Sequence, residues 1–412
     1  VYEPGESVIT IRDITSHQVI IDGFTLENGY GKGVDFEYFI SVASEPEMFN
    51  DMMYNYIESG GVSVINSSVT LSNLVIKNNT AENFGGGIGL VDSYTELNNI
   101  ILENNHIPDG DALGGSGIAI NGGVTSINDC IIRNNSVGLN LYQLNGGGGI
   151  LCGFNFSDTP LELMVSNSEI YDNSANIGAA IGALSGNITL NHILIYNNTG
   201  EYGSAISLGE PLGLIIDDIN MTITQSTITN NQGGFSFGLT DESHLLIANS
   251  ILWNEESDYE ITSLPNNSMI DANIFYSDIR LLEGENNIES ISLNPEFTDV
   301  DNFDFTLTST SPCIDSGTEL LIFNEETIID MDYSEYSGNM PDMGYFEHSS
   351  NILYGDVNLD SIINVLDIVL MVNIILDQNT SDIFSLDAAD MNQDGIINVL
   401  DIIELLNLIL DN

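Results

Sequence analysis

The chain has 412 residues, room for two or three domains, and 42% of them are hydrophobic, enough for a substantial core. Five Lys and Arg stand against 61 Asp and Glu, a formal net charge of −56. Such a polyanion repels nucleic acid and anionic membranes and calls for bound or condensed cations to screen its self-repulsion. No stretch reaches the roughly eighteen apolar residues of a membrane span.

Three cysteines, Cys130, Cys152 and Cys313, do not make a disulfide framework. The chain begins at Val1 without a basic-then-apolar leader, which reads as a processed chain or a fragment. Residues 1–29 hold a first, partial coil: Val8 to Ile11, Val19 to Ile21, and Asp22 to Asn28. Residues 30–59 interrupt the pattern with an aromatic- and Met-rich insertion that includes Phe36, Phe39, Met48, Phe49, Met52 and Tyr54. Such an excursion is either a binding loop or a flap sealing the side of the fold.

From there to about residue 260 one unit recurs, typified by Leu71 to Asn79. Its anchors are Ile76, Leu102, Ile132, Ile170, Ile195, Ile228 and Leu252, with Leu26 as a weaker earlier copy. The intervals between them are similar but unequal, too regular for chance and too variable for a helical repeat, and so predict a solenoid of β-coils. In Leu74-Val75-Ile76 the outer two residues share a strand face, and stacking places each anchor about 4.8 Å above the last. Cys130 falls in the inward column of Leu74 and Ile100, which predicts a small buried hydrophobe. Asn79, Asn105, Asn135, Asn173, Asn198 and Asn231 stand at the third position after their anchors. A single such Asn would read equally well as a surface turn residue, but six aligned copies predict a buried amide ladder. Glycine and alanine clusters such as Gly85-Gly-Gly and Gly178-Ala-Ala precede a second strand and predict close approach of the coils. Lys77, Glu103, Arg133, Tyr171, Tyr196, Thr229 and Trp253 share an outward column, a charge ladder running into either an aromatic strip for sugar rings or a neighbouring subunit or a chance enrichment of strand formers. Nine Asn-x-Ser/Thr triplets leave glycosylation open.

These coils resemble the right-handed parallel β-helix repeats of bacterial surface and secreted proteins. Tyr276 to Ile279, Gly284 to Ile288, Asn294 to Phe297, Ser311 to Gly317 and Pro341 to Phe346 resemble the closing segment, of choice-of-anchor type, that follows such helices. The resemblance implies a β-helix over 1–290 and a cap over 291–349.

The remainder carries two near-copies in tandem, Asp356 to Asp367 and Asp390 to Asp401. Oxygen side chains fall at loop positions 1, 3, 5, 9 and 12 with a carbonyl due at 7, the spacing a hard cation such as Ca²⁺ needs. The predicted ligands are Asp356, Asn358, Asp360, the Ile362 carbonyl, Asn364 and Asp367, then Asp390, Asn392, Asp394, the Ile396 carbonyl, Asn398 and Asp401. Ser361 replaces the Gly usual at position 6, which Gly395 keeps, so the first site is the weaker or more strained. Each loop runs into an apolar helix. Duplicated loop–helix units closed by Asp are similar to a dockerin domain, here 354–412. The expected fold class is thus mainly β, a right-handed parallel β-helix followed by a small α-helical, dockerin-like calcium-binding domain.

That resemblance implies an exported, extracellular or cell-surface protein plugged into a cohesin. The recognition positions pair as Val365 with Val399, Leu366 with Leu400 and Asn373 with Asn407. They lack the hydroxyl pairs and the Lys or Arg common in such modules, which favours a greasier partner: a cohesin-like domain or another copy of this protein. The combination also raises a polysaccharide-degrading enzyme. Lyases of this fold need a basic residue, and only Arg12, Lys32, Lys77, Arg133 and Arg280 exist. Pectin-cleaving hydrolase motifs are missing, Asp217-Asp218 is a lone carboxylate pair, and the acidic surface disfavours polyuronates. A non-catalytic surface or assembly protein is therefore expected, with a tethered lyase or glycoside hydrolase as the alternative.

Overall fold

The computed structural model describes residues 7–32, 58–108, 114–138, 146–153, 159–209, 218–232, 237–239, 243–257, 260–263, 271–281, 287–348, 354–358, 362–376, 386–392 and 396–411. The aromatic insertion thus lies almost wholly outside the described residues. The chain forms two compact units, Val1–Leu293 and Asn294–Asn412.

The first unit is a stack of parallel strands in three main lines. One runs from Ile9–Arg12 through Val62–Ile65 and the start of Ile88–Asn98 to Ile261–Ser263. The second runs from Val19–Asp22 through Ser68–Ser72 to Asp271–Phe275. The third runs from Thr25–Glu27 through Val75–Lys77 to Asp278–Ile279. A short fourth line joins Tyr30–Gly31, Thr80–Ala81, His106–Ile107 and Ser136–Val137. The insertion leaves the coil after Lys32 and returns at Glu58, whose N–H donates to the Lys32 carbonyl at 2.9 Å.

Side-chain alternation decides what fills the inside. The anchors stack in register from Leu26 to Ile76, Leu102, Ile132, Ile170, Ile195, Ile228, Leu252 and Ile279, and all are buried. Each buried aliphatic side chain contributes roughly 1.5–3 kcal/mol, and the column makes that gain continuous along the axis. Cys130 is buried as expected, and burial pushes its thiol up to about 11. Cys152 and Cys313 are also buried, and neither forms a disulfide.

Beside the aliphatic column runs the asparagine ladder. Asn79, Asn105, Asn135, Asn173, Asn198 and Asn231 are buried, and each Nδ2 donates to the Oδ1 of the next at 2.9–3.1 Å, Asn231 donating to Asn254. The same Oδ1 atoms accept the backbone N–H of the preceding Asn at 2.8–3.1 Å. A second proton of each Nδ2 goes to a strand carbonyl, such as Asn105 to Ile76 at 2.9 Å. The amides therefore satisfy themselves and the turn, so their burial carries little desolvation cost.

Asn254 stands at the second position after its anchor Leu252 where the others stand at the third, which hides it from the sequence pattern. The missing residue is the left-handed turn position held elsewhere by Asn78, Asn104, Asn134, Asp172, Asn197 and Asn230, φ 53–55°. That position explains the recurring Asn-Asn pairs: the first Asn tolerates the left-handed turn and the second enters the ladder. Tight turns of another kind sit at Gly85, Gly115, Gly147, Gly178 and Gly203, all at positive φ. A Cβ on Gly85 would lie 2.4 Å from the Ile88 carbonyl oxygen.

In the second unit, Phe297–Asp299 pairs antiparallel with Asp304–Leu307, and Leu320–Phe323 with Glu326–Asp330. Two acidic side chains tie the loops that follow. Asp342 accepts the N–H groups of Asp315 and His348 at 2.8 and 2.6 Å, and Glu347 those of Asp342 and Ser337 at 3.0 and 3.2 Å. Burial pushes Asp342 up to about 6, and burial followed by the charge of Asp342 pushes Glu347 up to about 7.

Two outcomes follow. Asn135→Ala strands the amides above and below it, so it lowers stability by about 2–5 kcal/mol in chemical denaturation, whereas the exposed Asn104→Ala costs about 1 kcal/mol or less. Raised carboxyl values mean the folded segment binds protons more tightly than the unfolded chain, whose ordinary values are 3.8 and 4.5. Residues 294–348 therefore gain stability as pH falls from about 7 to about 4 and lose it as pH rises through that window. Hydrogen exchange of the Ser337 and His348 amides, corrected for intrinsic rate, reads this, and Glu347→Gln flattens it.

Candidate metal centre and docking face

The C-terminal repeat begins from two short apolar helices, α1 (Val365–Ile375) and α3 (Val399–Asp411), with the single turn α2 (Leu386–Ala389) between them in sequence. Val357, Met371, Ala389 and Leu405 form their buried core, with Ile363, Ile368, Met391, Ile397 and Ile402 packed around it. The core inherits the duplication: Ile363 matches Ile397, Ile368 matches Ile402 and Met371 matches Leu405, each pair at the offset of the repeat.

The loops match bond for bond. Asp367 accepts the N–H of Asn358 on Oδ1 at 3.1 Å and that of Asn364 on Oδ2 at 2.8 Å. Asp401 accepts from Asn392 at 3.3 Å and from Asn398 at 2.8 Å. Asn364 caps α1 by accepting from Leu366 N–H at 2.8 Å while its Nδ2 donates to the Ile362 carbonyl at 3.0 Å. Asn398 repeats both bonds, with Leu400 at 2.9 Å and Ile396 at 2.8 Å. The cap explains why a helix starts at each repeat.

The electrostatics of these loops fit a cation. Asp356, Asp367 and Asp401 are buried, and residues 354–412 contain no Lys, Arg or His to neutralise them. A carboxylate has about four lone-pair sites, so two backbone N–H bonds leave room for an ion. Asn358, Asn364, Asn392 and Asn398 and the Ile362 and Ile396 carbonyls lie in the same loops, as does Asp390. Asp360, Asp394, Ser361 and Gly395 lie outside the described residues, and among the described residues no three acidic groups form a metal cluster.

Of the predicted recognition residues, Val365, Leu366, Val399, Leu400 and Asn407 are exposed and Asn373 is half-buried. The face is wider than those pairs. Ile362, Val369, Val372 and Leu376 are also exposed, and so are their mates Ile396, Ile403, Leu406 and Leu410, the whole set spanning 37–72% exposure. The signal was present as apolar pairs at the repeat offset, but a helix's buried and bare apolar residues look alike until packing is known.

On the solenoid, three of the five basic side chains are engaged in ion pairs. Arg133 bonds Glu103 at 2.7 Å and the Tyr171 hydroxyl at 3.0 Å, Lys77 pairs with Glu27 at 3.6 Å, and Arg280 pairs with Glu260 at 3.0 Å. Of the pair Asp217-Asp218, Asp217 lies outside the described residues.

No curated protein and no solved structure matches the chain. Residues 354–410 match the Dockerin type I domain, a family whose members bind calcium and dock onto cohesins. The C-terminal repeat of this chain is thus a type I dockerin domain.

Proposed function

We propose that this is a non-catalytic extracellular or cell-surface protein whose β-solenoid, over 1–290 with a cap over 291–349, is held in place by a calcium-loaded dockerin domain over 354–412. The observation that carries this reading is the bond-for-bond duplication of two loops whose closing carboxylates, Asp367 and Asp401, are buried without a basic partner. Asp356, Asn358, Asp360, the Ile362 carbonyl, Asn364 and Asp367 hold one Ca²⁺, and Asp390, Asn392, Asp394, the Ile396 carbonyl, Asn398 and Asp401 the other. Bound calcium neutralises the loop and so relieves the repulsion among its carboxylates.

The partner sits on the exposed apolar pairs centred on Val365 and Leu366 or on Val399 and Leu400, with Asn373 and Asn407 at their flanks. Residues 354–412 hold eleven acidic residues and no basic one, so two such modules repel each other. This favours a cohesin-like surface over a second copy. The non-catalytic reading draws on the ion pairs of Lys77, Arg133 and Arg280, which engage three of the five basic residues a lyase would need as proton acceptor.

Calcium removal tests the metal half: chelation lowers the helical circular dichroism, calcium restores it, and native mass spectrometry counts two ions per chain, falling to one in Asp401→Ala. No bound ion would refute it. For the docking half, Leu366→Asp and Leu400→Asp each reduce retention on an immobilised cohesin panel a few-fold and together abolish it. Retention unchanged in the double variant, or calcium-dependent dimers in sedimentation, would overturn the assignment of face and partner.

A further inference from the structure

The outer face of the second strand line carries a pattern that the docking reading leaves unused. Its outward positions are read off the register: Ile20, Thr70, Glu96, Ser126, Met164 and Thr189 form one row, and Ser68, Tyr94, Val124, Glu162 and Asn187 the row beside it. Large apolar side chains stand out on the first, third and fifth coils of this line, Ile20 at 68% exposure and Met164 at 48% in one row and Tyr94 at 59% in the other, before the rows continue in polar Asn220 and Thr222. The coils between them present Ser68, Thr70, Ser72, Val124 and Ser126, which are small. These three therefore stand two rungs apart, about 10 Å.

We propose that this face binds an extended, neutral polysaccharide lying along the solenoid axis. A β-1,4-linked pyranose chain advances about one rung per sugar and turns its ring over at each step, so like faces return every two rungs, as Ile20, Tyr94 and Met164 do. Tyr94 supplies a large, rigid ring at low entropic cost. Glu96, Glu162, Asn187 and Thr189, all exposed beside the apolar positions, supply acceptors and amides for sugar hydroxyls. Charge selects the ligand: a net −56 rejects polyuronates and sulfated chains. A protein partner fits less well, because its interface needs a contiguous apolar centre and here polar rungs divide the apolar ones.

The aromatic column on the third strand line does not offer this platform. Tyr171 stacks on Tyr196 at 4.6 Å between centroids, and its hydroxyl accepts from Arg133 at 3.0 Å, so its ring is already engaged by its neighbours in the column.

Affinity electrophoresis of the full chain through gels containing xylan, glucomannan, hydroxyethylcellulose or polygalacturonate tests the proposal. At least one neutral polymer retards the protein and polygalacturonate does not. Tyr94→Ala reduces the retardation at least tenfold in apparent affinity, Tyr94→Phe retains most of it, Met164→Ala reduces it a few-fold, and Tyr171→Ala leaves it unchanged. The Tyr94 side chain is exposed, so unchanged circular dichroism separates lost binding from lost fold. The idea is overturned by no retardation in any neutral polymer, by retardation insensitive to Tyr94→Ala, by preference for polygalacturonate, or by Tyr94→Ala abolishing capture of a cohesin instead.

Discussion

A buried side-chain amide has two donors and an acceptor to satisfy, and in this solenoid the amide one rung away takes one donor while a strand carbonyl takes the other. That requirement holds the coils in vertical register. Slipping one rung relative to the next would strand an Nδ2 and an Oδ1 in the interior at a cost of several kcal/mol, while the aliphatic column alone would tolerate smaller slips. Every ladder bond points the same way, so the dipoles add and leave a positive end at Asn254. There Glu260, only 2% exposed, accepts from the Asn254 N–H at 2.7 Å and Nδ2 at 2.8 Å. Burial raises the Glu260 pKa against these bonds, and Arg280 balances its charge at 3.0 Å. An acceptor-only group is the natural stop for a row of donors.

The same rule governs the outer amides. Asn99 donates to Asn73 at 2.7 Å and Asn73 to Asp22 at 2.8 Å, Asn66 donates to Asp13 at 2.9 Å, and Gln232 donates to Asn197, which donates to Asp172. Each of these three rows ends on a carboxylate, while Asn128 donates to the Asn98 amide and Asn220 to that of Asn187. Part of the acidic excess is therefore structural, ending rows of N–H groups that would otherwise need water. Elsewhere backbone N–H groups serve, as at Asp342 and Glu347, and in the C-terminal loops the fit is to a cation. With so few Lys and Arg available, ion pairing is confined to a few places such as Glu103 with Arg133.

Duplication gives the dockerin domain its economy. One loop–helix unit exposes apolar residues that it cannot bury alone, and the second copy buries half of them through Met371 and Leu405. The other half stays bare in matching pairs, which is the raw material of a docking surface.

Periodicity alone determined the stacked coils, the inward anchors, the ladder as far as Asn231, and the paired loops with their closing Asp367 and Asp401, because each rests on local spacing that survives in one dimension. What depends on contacts across coils was decided only by the tertiary structure. Asn254 was hidden by a one-residue deletion, Glu260 and Arg280 by their isolation in sequence, and the wider docking face by the identity of buried and bare leucines as letters. The set of Ile20, Tyr94 and Met164 is likewise invisible in a chain where one whole coil lies between each member and the next, because only stacking brings them to alternate rungs of one face.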